Sequence, residues 1–97
     1  MTNQEKIEYI FKALHRAEIS ISDIQRVTKI SRTALHHWKN GGNVTDLIRL
    51  NIMMKVAQNL NIACDNRQLP LQNHLKVAER IPVLRKIIAN AAAKRVE

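Results

Sequence analysis

The sequence predicts an all-α fold, a compact bundle of about five helices followed by a C-terminal helical extension. Three observations carry that expectation. Hydrophobic residues make up 45% of the chain and aromatic ones 3%, so the core must be built from Ile, Leu, Val, Ala and Met, which suit helices, whereas sandwiches carry more aromatics and turns. Gly and Pro number two each, too few to punctuate a series of short strands. Apolar positions recur at three- and four-residue spacing between residues able to cap helices.

Residues 2–17 form an amphipathic helix, because Ile7, Ile10, Phe11, Leu14 and Ala17 keep an i, i+3, i+4, i+7 stripe while Lys6, Lys12 and Arg16 lie off it. Thr2 with Glu5 is a capping box at its start. A second box, Ser20 with Asp23, opens a short helix over 21–28 that offers Ile24 and Val27 to the core. After "KIS", with Ile30 turned inward, Ser31 caps a third helix running through Ala34, Leu35 and Trp38 to Asn40, and Gly41 supplies a left-handed stop.

The "GGNVT" loop leads to a fourth helix, capped by Thr45 or Asn43, on which Leu50, Met53, Met54, Ala57 and Leu60 recur at helical spacing. Its methionines fill core gaps, since no other soft ligand stands beside them. "NIACDNRQLP" carries a short turn or one-turn helix capped by Asp65 and stopped before Pro70. Residues 71–96 are helical in two pieces. Leu71, Leu75 and Ala78 keep one stripe, Pro82 fits the first turn of a new helix, and Leu84, Ile87, Ile88 and Ala91 make a second. This last piece is more apolar than a five-helix core requires, so it either folds back on its own domain or supplies a dimer surface.

With 97 residues, the chain is one domain's worth, and folding buries roughly 60 to 70% of the surface the unfolded chain exposes. A deep substrate cleft is not expected. No apolar stretch approaches the ~18 residues of a membrane span, "MTNQEKIEYI" lacks a secretory pattern, and Cys64 has no partner for an internal disulfide. A cytoplasmic protein is expected. Sixteen Lys and Arg against eight Asp and Glu give a formal charge of +8, the electrostatic footprint of a polyanion binder. Between residues 26 and 55 stand six cations (Arg26, Lys29, Arg32, Lys39, Arg49, Lys55) and one acid, Asp46.

Residues 20–41, "SISDIQRVTKISRTALHHWKNG", resemble the helix-turn-helix of the phage-repressor and Cro family, also called the XRE family. Ser20 stands where the family begins its second helix, Ile24 at that helix's apolar site, Ile30 and Ser31 at the turn and cap, and Leu35 and Trp38 at the inward positions of the recognition helix. "KNG" resembles the usual ending. "MMKVAQNLNI", residues 53–62, looks like the fourth helix, so the resemblance covers roughly residues 4–70. The family's alanine on helix two and glycine in the turn are here Gln25 and Lys29. A left-handed Lys29 would cost about 1 kcal/mol. Ile21 replaces a polar residue that bonds a phosphate in many relatives, leaving that contact to the amides of the helix N-terminus.

The resemblance implies a lambda-repressor-like bundle with residues 1–70 as the DNA-binding domain, 71–97 as its extension, and residues 32–40 as a recognition helix for the major groove of double-stranded DNA. Arg32, Thr33 and His37 match the family's base-reading places. The residues support the same surface, for with Leu35 and Trp38 inward, Arg32, Thr33, His36 and His37 fall outward. Arg32 suits a bidentate contact to guanine, Thr33 a thymine methyl, and His36 and His37 base acceptors or phosphates. Lys29, Ser31, Lys39, Asn40 and Gly41, with Gly42 beside it, are the expected phosphate contacts.

Other chemistry is not expected. Helical metal ligands stand one turn apart, whereas adjacent His36 and His37 point about 100° apart. Cys64 has no neighbouring His and Asp to activate it, and no nucleophile set, phosphate-cradling loop or cofactor site stands out. The expected function is a sequence-specific transcriptional regulator, a phage or bacterial repressor acting as a homodimer on an operator in the nucleoid of a bacterial cell. Two alternatives remain: the DNA-binding antitoxin of a toxin pair, with 71–97 as a toxin-binding or other protein-binding tail, and a basic RNA-binding protein.

Overall fold

Helix formation starts at Thr2. In the computed structural model, which describes residues 1–72 and 75–96, with 90–96 by backbone alone, the Glu5 N–H donates to the Thr2 hydroxyl at 3.1 Å and the Thr2 N–H to the Glu5 carboxylate at 2.9 Å. This is the expected reciprocal box, and the bonds to Thr2 hold the Glu5 carboxyl below its ordinary range. Helix α1 (Asn3–Ala17) buries Ile7, Ile10, Ala13, Leu14 and Ala17, with Phe11 half-buried against them. It stops at Glu18, whose left-handed backbone (φ 55°) lets the Ile19 N–H reach back to the Leu14 carbonyl at 3.0 Å.

Ser20 caps α2 (Ile21–Thr28) by accepting the Asp23 N–H at 3.1 Å. The expected second box is only half formed. The Asp23 carboxylate turns away from the Ser20 backbone toward Arg26 and Arg80, because two guanidinium donors make stronger charge-assisted bonds than one amide. Ser31 caps α3 (Arg32–Lys39), its hydroxyl accepting the Ala34 N–H at 3.1 Å. Asn40, expected as the last helical residue, is the C-cap, and Gly41 is left-handed at φ 86° as expected.

Helix α4 (Leu47–Asp65) is capped by Asp46, not Thr45 or Asn43. The Asp46 carboxylate takes the Arg49 N–H at 3.0 Å and the Arg49 side chain at 3.3 Å, a pairing that neither neighbour offers. The helix also runs through the stretch expected to break after residue 60. Leu60 and Ala63 are fully buried there, and Asn61 is tied to α1, donating to the Tyr9 hydroxyl at 3.0 Å and accepting from Arg16 at 3.2 Å. Packing overrides the weak helix propensity of the Asn and Cys residues.

The expected pair of C-terminal helices is one helix, α5 (Val77–Val96), with Pro82 inside it and no helix over the described residues of 71–76. Residues 73 and 74, part of the first expected piece, lie outside the described residues, as does the side chain of Ala91. Pro82 and Ala78, the residue whose carbonyl loses its helical donor, are both exposed, so the helix tolerates the proline on its solvent side. The opposite side buries Ile81, Leu84 and Ile87, so α5 folds back on the rest of the chain.

Five helices and no strand make up the described residues, the all-α class expected. Helix α4 packs between α1 and α5, α5 also covers α2, and α3 rests on α2 and α1. The thinnest dimension, 19 Å, admits about two helix diameters. Ile10, Ile24, Leu35, Leu50, Met53, Leu60 and Leu84 are its most deeply buried large side chains. None of the described helices is long and apolar enough to cross a membrane.

Candidate nucleic-acid interface

The position of α3 is set by the three residues that join it to α2. Lys29 takes the left-handed conformation (φ 65°), and its N–H closes on the Gln25 carbonyl at 2.8 Å. The Thr28 hydroxyl donates to the Ile24 carbonyl at 2.7 Å and accepts the Ile30 N–H at 3.2 Å. Ile30 then enters the core at 3% exposure. With the Lys29 and Ile30 N–H groups bonded back to α2 and Ile30 buried, the turn fixes the start of α3 relative to α2.

Leu35 is 0% and Trp38 3% exposed, which anchors α3 along one side and turns the other outward. Arg32, Thr33 and His36 are all exposed. They share an open depression with Ser31 and with Gln25 of α2. His37 is exposed too, but it leaves that group. One ring nitrogen lies 3.2 Å from the Asn43 carbonyl, and the ring covers Gly42 so closely that a Cβ there would overlap it.

Among the expected phosphate contacts, Lys29, Ser31, Lys39, Asn40 and Gly41 are all exposed. Their free chemistry differs. The Ser31 hydroxyl already accepts a bond and retains its proton to donate. The N–H groups of Gly41 and Gly42 are engaged by the carbonyls of Trp38 and His37, at 3.1 and 2.8 Å. Gly41 therefore shapes the end of α3 through its backbone and has no free amide for a phosphate.

Behind this face the charges are matched. The Asp23 side chain is 7% exposed. Arg80 of α5 grips it with two nitrogens at 2.7 and 3.1 Å, and Arg26 adds a third bond at 2.8 Å. The Arg80 bonds hold the Asp23 carboxyl below its ordinary range, with Arg26 adding to the effect. Arg80 also donates to the Leu75 carbonyl at 3.1 Å, and Arg85 donates to the Arg26 carbonyl at 3.1 Å. Helix α5 thus holds α2 in its first turn and near its C-terminal end. Among the described residues, Lys29, Arg32 and Lys39 on the outer face meet no carboxylate.

Sequence reasoning misses Ser22 and Gln25 as parts of this face and takes Arg26 only as one of the cations of its segment, although their spacing at i, i+3 and i+4 of α2, with Lys29 at i+7, is a readable signal. It also misses Arg80 and Arg85, for which no local signal exists. Burial pushes the Cys64 thiol up, which keeps it a poor nucleophile, and no group of three His, Cys, Asp or Glu among the described residues can hold a metal ion. Comparison with models of protein families, with curated proteins and with solved structures finds no match.

Proposed function

We propose that this protein is a sequence-specific double-stranded DNA-binding transcriptional regulator, of phage or bacterial type, that lays α3 in the major groove. The observation that carries this reading is the division of α3, with Leu35 and Trp38 buried and Arg32, Thr33 and His36 gathered in one outward depression. A major groove admits a helix of this kind, and base edges are read by side chains projecting from it. Arg32 is assigned the guanine contact, Thr33 a thymine methyl, and His36 a base acceptor. Lys29, Ser31, Lys39 and Asn40 supply phosphate contacts that set register. A homodimer on a two-fold operator would place paired half-sites about one helical turn apart.

Selection of bound duplexes from a random pool tests the reading. The expected result is a pseudo-palindromic site for the wild type and, for Arg32→Ala, loss of preference at one base position per half-site, about 1 to 3 kcal/mol of discrimination. Retrieval of structured RNA in preference to duplex DNA, or of no common sequence, would refute it.

A further inference from the structure

Where the last turn of α2 meets the start of α3, one open depression is lined by Ser22, Gln25, Arg26, Lys29 and Arg32. Ser22, Gln25 and Arg26 form a polar stripe on α2 that its C-cap Lys29 extends, and the left-handed backbone of Lys29 brings Arg32 to the same place. No carboxylate lines it. The acid nearest in sequence, Asp23, is buried with both oxygens bonded to arginines. Arg26 commits one terminal nitrogen to Asp23 and keeps its remaining donors, while Lys29 and Arg32 meet no carboxylate among the described residues.

Lys29 and Arg32 have no carboxylate partner, and Arg26 shares its own, Asp23, with Arg80, so an anion entering the hollow is attracted by all three cations at once. A phosphodiester suits the donor set. Its two free oxygens, which share a single charge, can accept from the guanidinium forks of two helices and the ammonium of the turn between them, and the Ser22 hydroxyl and Gln25 amide add neutral donors at the wall. Gln25 and Arg32 line this depression and the neighbouring one that holds Thr33 and His36. A group seated in the first therefore fixes what can reach the second.

We propose that the hollow between α2 and α3 seats one phosphate group of the duplex backbone, with Lys29 and Arg26 as its principal ligands and Arg32 as the wall shared with the base-reading depression. The source of the phosphate rests on the DNA-binding reading above; the seat itself rests on the cation cluster. The left-handed backbone does not mark Lys29 by itself, since Glu18 and Arg67 share it. It does supply a clean test, because glycine at position 29 relieves the backbone while removing the charge.

The experiment compares wild type, Lys29→Gly and Arg26→Gln by fluorescence anisotropy on a mixed-sequence duplex across a range of KCl concentrations, with melting temperatures recorded alongside. Amide spectra are taken in parallel on titration with inorganic phosphate at constant ionic strength. Lys29→Gly is expected to melt about 4 °C higher or more. Its slope of log K against log salt should fall by about 0.9, a loss of roughly eightfold between 1 M and 0.1 M salt. Inorganic phosphate should shift the Ser22, Gln25 and Lys29 amides of the wild type and leave the spectrum of the Lys29→Gly, Arg26→Gln double variant unmoved.

An unchanged salt slope in Lys29→Gly, with the wild type still binding duplex, sinks the seat and leaves DNA binding standing. Phosphate shifts in a wild type that binds no duplex do the reverse, keeping the seat as a site for a free phosphate and removing DNA as its source. Absence of both ends the proposal and the reading beneath it.

Discussion

Helix α2 and its C-cap Lys29 have two electrostatic sides. On the inner side Asp23 is buried and every charge has a partner, from its own helix in Arg26 and from α5 in Arg80. On the outer side Lys29, with Arg32 of the next helix, stands in a hollow that contains no acid. Charges that take part in folding are matched, since an unpaired buried ion costs several kcal/mol. Those on the outer side have no such duty. The excess of cations in this segment thus contributes nothing evident to the fold and is available to a partner.

The largest effect should come from breaking the buried side of α3. Leu35→Ala removes a side chain that is 0% exposed and should cost about 3 kcal/mol, read from the urea midpoint. Arg32→Ala, on the other side of the same helix, should stay within about 0.5 kcal/mol of wild type in the same assay. Equal losses would erase the distinction between the two sides.

The second effect concerns the matched charges. Arg80→Met should destabilise at neutral pH by less than Leu35→Ala does, and by less than the loss of one partner from a fully buried pair, because the Arg80 side chain is 30% exposed and Arg26 stays bonded to Asp23. The sign with pH follows from the depressed Asp23 carboxyl. Its contribution is complete above the ordinary carboxylate range and is lost as pH falls through its lowered folded value. The deficit of Arg80→Met relative to wild type should therefore shrink on acidification from neutrality toward about pH 3. A deficit independent of pH would mean that Arg80 acts by packing alone.

The smallest effect sharpens the boundary of the outward face of α3. Gly42→Ala should destabilise by about 1 kcal/mol, because its new methyl meets the His37 ring. In a His37→Ala background the same change should cost no more than a few tenths of that. Equal costs in both backgrounds would show that the ring does not rest on Gly42, and would return His37 to the outward set with His36.

The first three helices are legible from their ends. Thr2, Ser20 and Ser31 each carry a capping hydroxyl ahead of an apolar repeat, and Gly41 marks the stop of α3. The start of α4 is harder to read, since Asn43, Thr45 and Asp46 are all competent caps, and the choice of Asp46 depends on where Arg49 points. Continuation of α4 through Cys64 depends on α1, which supplies Tyr9 and Arg16 to Asn61. Local spacing contains nothing of that.

The candidate site divides in the same way. The outward set Arg32, Thr33 and His36 is readable from helical periodicity once Leu35 and Trp38 are placed inside. Two features are not. His37 folds onto the loop because of a neighbour five positions on that has no Cβ, and Asp23 serves arginines 3 and 57 positions away. The second of these is long-range pairing that a linear pattern does not encode.

The double grip of α5 on α2 binds the far end of the chain to the orientation of α3. A shortened chain ending at residue 76 would lose Ile81, Leu84 and Ile87 from the core and leave Asp23 with one arginine in place of two. Helix α5 then behaves less as an appendage than as a rudder: loosening it steers the outward face of α3 away from its bearing without touching a single residue on that face.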